Sequence, residues 1–219
     1  MRDFASAELR HEIAARAARL IAEEGLDYAA AKRRAARELA GDARGGVRAD
    51  RLPDNALVEE QVRAYQALFM ADTQPARLSA LRLTAVELMR WLGAFRPHLT
   101  GAVFNGTAGL HSDIHLQLFC DSAKDVEIFL VNAGIVFETS EAPRRGTHAS
   151  EPVETLSFVW RQTQPRGQGA AGLSAAPEGV HLTILRVEDL RSPGRQCAAD
   201  RADLISLEVL ITRSSAIDG

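Results

Sequence analysis

With 219 residues, 46% of them hydrophobic and 25% charged, the chain is long enough to bury a substantial core and has the composition of a globular protein. Its net charge of −3 exerts no overall pull toward nucleic acid or an anionic membrane, so neither is indicated as a partner. No apolar run reaches the roughly 20 residues that a membrane span needs, and Met1-Arg2-Asp3-Phe4 lacks the apolar core of a signal peptide. Cys120 and Cys197 form no C-x-x-C pair, so the expectation is a cytoplasmic chain with free thiols.

The first third is helical by periodicity. Over residues 7–24, Ile13, Ala17, Leu20 and Ile21 recur at helical spacing, and Gly25 is placed as a C-terminal stop. A second helix over 28–39 carries Lys32, Arg33, Arg34 and Arg37, and the Gly- and Arg-rich stretch 41–51 reads as a loop. The basic run is interrupted by Glu38, and no recognition helix follows, which argues against a helix-turn-helix. Asp54 or Asn55 caps a third helix with Leu57, Val58, Val62, Tyr65 and Phe69 on one face. Leu78, Leu81, Ala85, Leu88 and Leu92 mark a fourth, with Pro75 in its first turn and Pro97 beyond its end.

Past Pro97 the period becomes strand-like. A compact apolar strand is expected over 99–105, and over 113–119 Ile114, Leu116 and Leu118 alternate with Asp113, His115 and Gln117. A short helix over 123–132, capped by Asp121 or Ser122 and stopped by Gly134, leads to a strand over 135–139. Strands over 155–161 and 180–187 flank a Gly-, Pro-, Ser- and Gln-rich separator, and a helix over 200–211 closes the chain. The expected architecture is α+β: a helical extension over 1–74, then a domain over 75–219 with a mixed sheet of about five strands and flanking helices.

The chemistry concentrates in Thr100-Gly101-Ala102-Val103-Phe104-Asn105-Gly106-Thr107-Ala108-Gly109-Leu110-His111-Ser112-Asp113-Ile114-His115-Leu116. A strand enters a turn of small residues, and a second strand leaves it with an acidic residue at its start. This resembles the signature of the DNA polymerase β-like nucleotidyltransferase superfamily, with Gly106-Thr107 in the place of a Gly-Ser turn and Ser112-Asp113-Ile114-His115 in the place of Ser-Asp-x-Asp. The resemblance covers residues 78–141 and extends loosely to the later strands. It implies a nucleotidyltransferase-like fold that transfers a nucleotide from a nucleoside triphosphate to an acceptor with Mg²⁺ or Mn²⁺. In that reading Gly106, Thr107 and Ser112 bind the nucleotide, Asp113 and His115 are catalytic, and Asp113, His115 and Glu138 hold the metal.

The physical logic is that small residues let turn amides approach phosphates, and carboxylates at i and i+2 of a strand converge on one ion. His115 departs from the pattern, because imidazole offers one nitrogen where hard Mg²⁺ prefers anionic oxygen. The alternative is therefore a catalytically degenerate fold that acts as a nucleotide-binding, regulatory or protein-interaction module. Its partner would be a nucleotide or another phosphate-bearing small molecule. An interaction module would expose apolar surface on the third helix and self-associate, so a homodimer is the expected assembly.

His111, Asp113 and His115, spaced by two, also read as ligands for Zn²⁺, Mn²⁺ or Fe²⁺. Arg144-Arg145-Gly146, Arg186 and Arg191 are secondary candidates for a phosphate, and His181 and Thr183 share one face of their strand. The chain holds no P-loop, no G-x-S-x-G elbow and no G-x-G-x-x-G after a strand, so conventional ATPase, hydrolase and dehydrogenase sites are not expected.

Overall fold

The computed structural model describes residues 2–40, 52–142, 152–161, 177–190 and 201–215. The chain divides into two compact units, one formed by Met1–Leu78 with Thr107–Ser112, the other by Ser79–Gly106 with Asp113–Gly219.

The first unit is helical. It contains α1 (Arg2–Glu24), α2 (Tyr28–Ala40), α3 (Asn55–Phe69) and the start of α4 (Gln74–Trp91). Ile13, Ala17 and Leu20 of α1 pack with Ala31 and Ala35 of α2 and Val58 and Val62 of α3 into one buried cluster. Alanine at so many of these positions lets helix backbones approach closely while still removing apolar area from water. Gly25, at φ 69°, ends α1, and its amide donates to the Ile21 carbonyl at 3.1 Å. Asp54 is the N-cap of α3, accepting from the Leu57 amide at 2.8 Å. Phe69 departs from the expected face. It is 69% exposed, its ring tilted against that of Tyr65 with centroids 4.7 Å apart, while Gln66 takes a buried position one turn earlier.

The second unit is a mixed sheet with helices. After α4 come β1 (His98–Thr100), α5 (Gly101–Asn105), β2 (Ile114–Phe119), α6 (Ala123–Asn132), β3 (Glu138–Ala142), β4 (Val153–Trp160), β5 (Glu178–Leu185), β6 (Arg201–Ala202) and α7 (Leu204–Ser215). Among the described residues the sheet order is β3-β4-β5-β2-β1-β6, six strands where about five were expected. Among the described strands β2 and β5 run parallel, and the other neighbouring pairs are antiparallel.

Period-two alternation gives the sheet two unlike faces. Leu99, Ile114, Leu116, Leu118, Leu156, Phe158, Val180 and Leu182 are buried on one of them. On that side the Trp160 ring packs tilted against Trp91 of α4 with centroids 5.1 Å apart, and Trp91 lies 4.9 Å from Phe129 of α6. The opposite face is polar. The strand registers align Glu138, Ser157, His181, His115, Thr100 and Arg201 in one row across the six strands.

Three expected elements are corrected. The strand expected over 99–105 ends at Thr100, because Gly101 at φ 69° turns the backbone into α5, whose Val103 is buried. A short apolar run fits a buried helical turn as well as a strand. The strand expected at 135 begins at Glu138 instead, since Ile135 is used by the end of α6: its amide donates to the Leu130 carbonyl at 3.0 Å and that of Gly134, at φ 72°, to the Val131 carbonyl at 2.9 Å. The last helix starts at Leu204, because Arg201–Ala202 pairs with β1 and the Asp203 carboxylate then accepts from the Ser206 amide at 2.8 Å.

Candidate functional site

Asp113 enters β2 and places its carboxylate beside β5. His181 of β5 lies directly opposite His115 of β2, and their rings stack with centroids 4.7 Å apart and planes 18° from parallel. Ser157 of β4 is the register partner of His181 on its other side. The Ser157 Oγ is 2.8 Å from His181 Nδ1, and His181 Nε2 is 3.1 Å from Asp113 Oδ2.

An ionised carboxylate accepts only, so Nε2 carries the hydrogen and donates it to Asp113. In the tautomer with its hydrogen on Nε2, the ring has its lone pair on Nδ1, which accepts from the Ser157 hydroxyl. The chain Ser157 to His181 to Asp113 is thus fully paired, on side chains that keep partial solvent access: 30% for His181 and 45% for Asp113.

Gly179, two residues before His181, makes this possible. A Cβ built there would lie 2.2 Å from Asp113 Oδ1, so the carboxylate occupies the space that any other residue would fill. His115 is exposed by area, yet its pKa lies below the ordinary 6.5, first through desolvation and then through the nearby His181, with Asp113 opposing both.

The predicted site residues fall into both units. Gly106 is the left-handed cap of α5 at φ 88°, its amide donating to the Ala102 carbonyl at 3.0 Å, so it does not form the turn that leaves β1. That turn is made by Gly101, and a Cβ built on it would lie 3.7 Å from His115 Cδ2. Thr107 and Ser112 belong to the first unit. There the buried Gln66 donates to the Thr107 carbonyl at 2.7 Å, Gln74 donates to the Ala108 carbonyl at 2.9 Å, and the Ser112 hydroxyl accepts from the Gly109 amide at 2.9 Å. His111 is also in that unit, its Cβ 2.5 Å from where a Cβ on Gly25 would stand.

Glu138 does not join Asp113 and His115. It lies on the edge strand β3, and β4 and β5 intervene before β2. Three strand spacings are about 14 Å, well beyond the reach of one ion's coordination shell. Among the described residues no group of three His, Cys, Asp or Glu side chains is arranged to hold a metal ion. Arg186 is exposed just after β5, its amide donating to the Asp189 carboxylate at 3.1 Å. Cys120 is a free, half-buried thiol whose pKa is raised by burial. Arg144, Arg145, Gly146, Arg191, Cys197, the 41–51 loop and residues 162–176 of the separator expected over 162–179 lie outside the described residues, and β5 begins within that separator at Glu178.

The serine-histidine link was missed by sequence reading. Alternation put His181 on the same face as Thr183, but Ser157 and Asp113 are 24 and 68 residues away from His181, and only the strand order brings them together.

The fold defines an α+β protein with a six-stranded mixed sheet that is apolar on one face and carries a paired Ser-His-Asp row on the other. No family model matches the chain, and neither the curated proteins nor the solved structures yield a match to it. Among the described residues no helix is long and apolar enough to cross a membrane.

Proposed function

We propose that the second unit is a nucleotidyltransferase-like module that holds a nucleotide, or another phosphate-bearing small molecule, on the polar face of its sheet without the carboxylate-rich metal centre of an active transferase. The observation that carries this reading is the engagement of Asp113 Oδ2 by His181 Nε2 at 3.1 Å: the one carboxylate of the motif is already paired within the protein. Beside it stand imidazoles, of which His181 has both nitrogens committed. That donor set suits Mg²⁺ poorly and Mn²⁺ somewhat better. In this reading Gly101-Ala102, directly after β1, takes the place that the Gly-Ser turn has in the superfamily, and Gly101 faces His115 as a phosphate-approaching turn would.

Thermal unfolding with each of ATP, CTP, GTP and UTP, with and without Mg²⁺ or Mn²⁺, tests the reading. The expected result is stabilisation by one nucleotide with or without metal, reaching about 2.7 kcal/mol at a hundredfold excess over Kd. Strict dependence on Mn²⁺ or Mg²⁺, lost in D113A at unchanged melting temperature, would support nucleotide transfer through Asp113 instead. No shift with any nucleotide at millimolar concentration would overturn nucleotide binding. We further place the chain in the cytoplasm as a homodimer, the latter checked by light scattering of the purified protein, with the exposed Leu68 and Phe69 at the end of α3 as the apolar surface involved.

A further inference from the structure

We propose that Ser157, His181 and Asp113 form a nucleophilic relay that cleaves carboxylic esters by acyl transfer to Ser157. The inference goes beyond nucleotide binding and does not depend on it.

Three independent features support the relay. The first is its continuity: Ser157 Oγ to His181 Nδ1 is 2.8 Å and His181 Nε2 to Asp113 Oδ2 is 3.1 Å, both within the range for productive proton transfer. The sense of the chain is set by Asp113, which as an acceptor forces the proton onto Nε2 and leaves Nδ1 basic toward the serine. The roles of the two ring nitrogens are thus exchanged relative to the familiar serine triad, with the same logic of nucleophile, base and orienting carboxylate.

The second feature is that the relay is held in place from several sides. Ser157 and His181 stand on the neighbouring strands β4 and β5, which fix side chains more firmly than loops do, and Asp113 directly precedes β2. The His115 ring stacks on His181 and limits rotation of the imidazole plane. Gly179 leaves open the space that the Asp113 carboxylate occupies.

The third feature is access. Ser157 and His181 are half-buried on the polar face, and Glu138, the register partner of Ser157 on β3, is exposed. A carboxylate at that edge, four strands from the Gly101 turn, disfavours a negative charge beside Ser157 alone, so the class is esters with an uncharged acyl group.

The step balances without a metal or redox partner. As Ser157 Oγ bonds the acyl carbon, its proton moves to Nδ1, and the carbonyl electron pair moves to oxygen. The imidazolium is stabilised by Asp113 through Nε2. The intermediate collapses, the bond from the acyl carbon to the leaving oxygen breaks, and that oxygen takes the proton from Nδ1. Water, deprotonated by the same nitrogen, then releases the carboxylic acid and restores Ser157. Ser157 and His181 are the catalytic residues, and Asp113 is a positioning residue.

The test is labelling of the intact chain with a fluorophosphonate, in which Ser157 Oγ bonds phosphorus and fluoride leaves, located by peptide mass spectrometry. The expected label sits on Ser157, is absent in S157A, and forms about 100-fold more slowly in H181F. Its rate depends on pH, and D113N alters that profile. Absence of label, label on another residue, or label on Ser157 that H181F leaves unchanged would overturn the relay.

A second measurement covers the case in which H181F does not fold. The thiol introduced by S157C is alkylated by iodoacetamide as a function of pH, with and without D113N. Alkylation well below the ordinary thiol range near pH 8.5, shifted by D113N, is expected; a profile at about 8.5 in both proteins would overturn the relay. Neither assay contains a nucleotide, so its failure leaves the nucleotide reading untouched, and a failed nucleotide shift leaves the relay untouched.

Discussion

Gly179 yields its side-chain space to the carboxylate of Asp113: a Cβ built on Gly179 would stand 2.2 Å from Oδ1 and 2.5 Å from Cγ. The group in the way is the free end of a short side chain, so it can rotate aside at little cost. Its new position, however, no longer meets His181.

G179A therefore separates site geometry from stability. Alanine in a strand recovers about 0.5–1 kcal/mol of backbone entropy relative to glycine, which offsets the displaced carboxylate. The melting temperature should stay within about 5 °C of wild type. The Nε2 proton of His181, seen by nitrogen-edited NMR as a hydrogen-bonded resonance, should lose its protection from exchange. A collapse in melting temperature would instead make Gly179 a requirement of the strand itself.

His115 gives the fold a pH dependence of defined sign. Its folded pKa lies below 6.5, mainly through desolvation and secondarily through His181, so the native state favours neutral imidazole. The unfolded chain then binds the proton more readily. The contribution is intact above the ordinary value and is lost as pH falls through the lower, folded one. Urea midpoints measured between about pH 7.5 and pH 5 should fall more steeply for wild type than for H115Q. Equal slopes would remove His115 from the account.

Much of the fold was legible in the sequence where a single period runs long enough. Leu81, Ala85, Leu88 and Leu92 recur at helical spacing and are buried, and Ile114, Leu116 and Leu118 alternate inward as a half-buried strand requires. Residues 101–105 were not legible as a helix, because five apolar and small residues carry no period and the deciding fact is the φ of 69° at Gly101. The site was only half legible. Asp113 and His115 announce themselves by adjacency and alternation. Ser157 and His181 acquire meaning from the order β4-β5-β2, in which β5 inserts beside β2 in parallel, and no local pattern encodes a non-sequential pairing. The same order carries Glu138 away from the position that its place after α6 suggests.

Arg82 is the buried charge on which α5 depends. It is 8% exposed, and its guanidinium donates to the carbonyls of Val103 at 3.2 Å and Phe104 at 3.5 Å and to the Ser214 hydroxyl at 3.3 Å. Burial lowers its pKa, and the negative end of the α5 peptide dipoles compensates part of that cost. R82A leaves two carbonyls without this donor and opens a cavity, so a loss of about 2–4 kcal/mol is expected in urea unfolding. R82K should recover little of it, because one ammonium cannot reproduce the spread of the guanidinium fork. Full recovery by lysine would mean that charge rather than geometry is what α5 requires.

Gln66 supplies the last prediction, and pH makes it specific. In the helical unit its Nε2 donates to the Thr107 carbonyl at 2.7 Å from a position only 5% exposed. Q66L keeps most of the volume but removes this buried donor, and should cost about 1–3 kcal/mol at every pH. Q66E should cost more at neutral pH, because an ionised carboxylate would face a carbonyl oxygen with no hydrogen between them. Burial raises such a carboxyl above its ordinary value, so lowering the pH protonates it and restores a donor. Relative to wild type, the Q66E deficit should therefore shrink as pH falls, while the Q66L deficit stays flat. If both deficits stay flat and small, Gln66 only fills space, and the loop Thr107–Ser112 is held by other contacts.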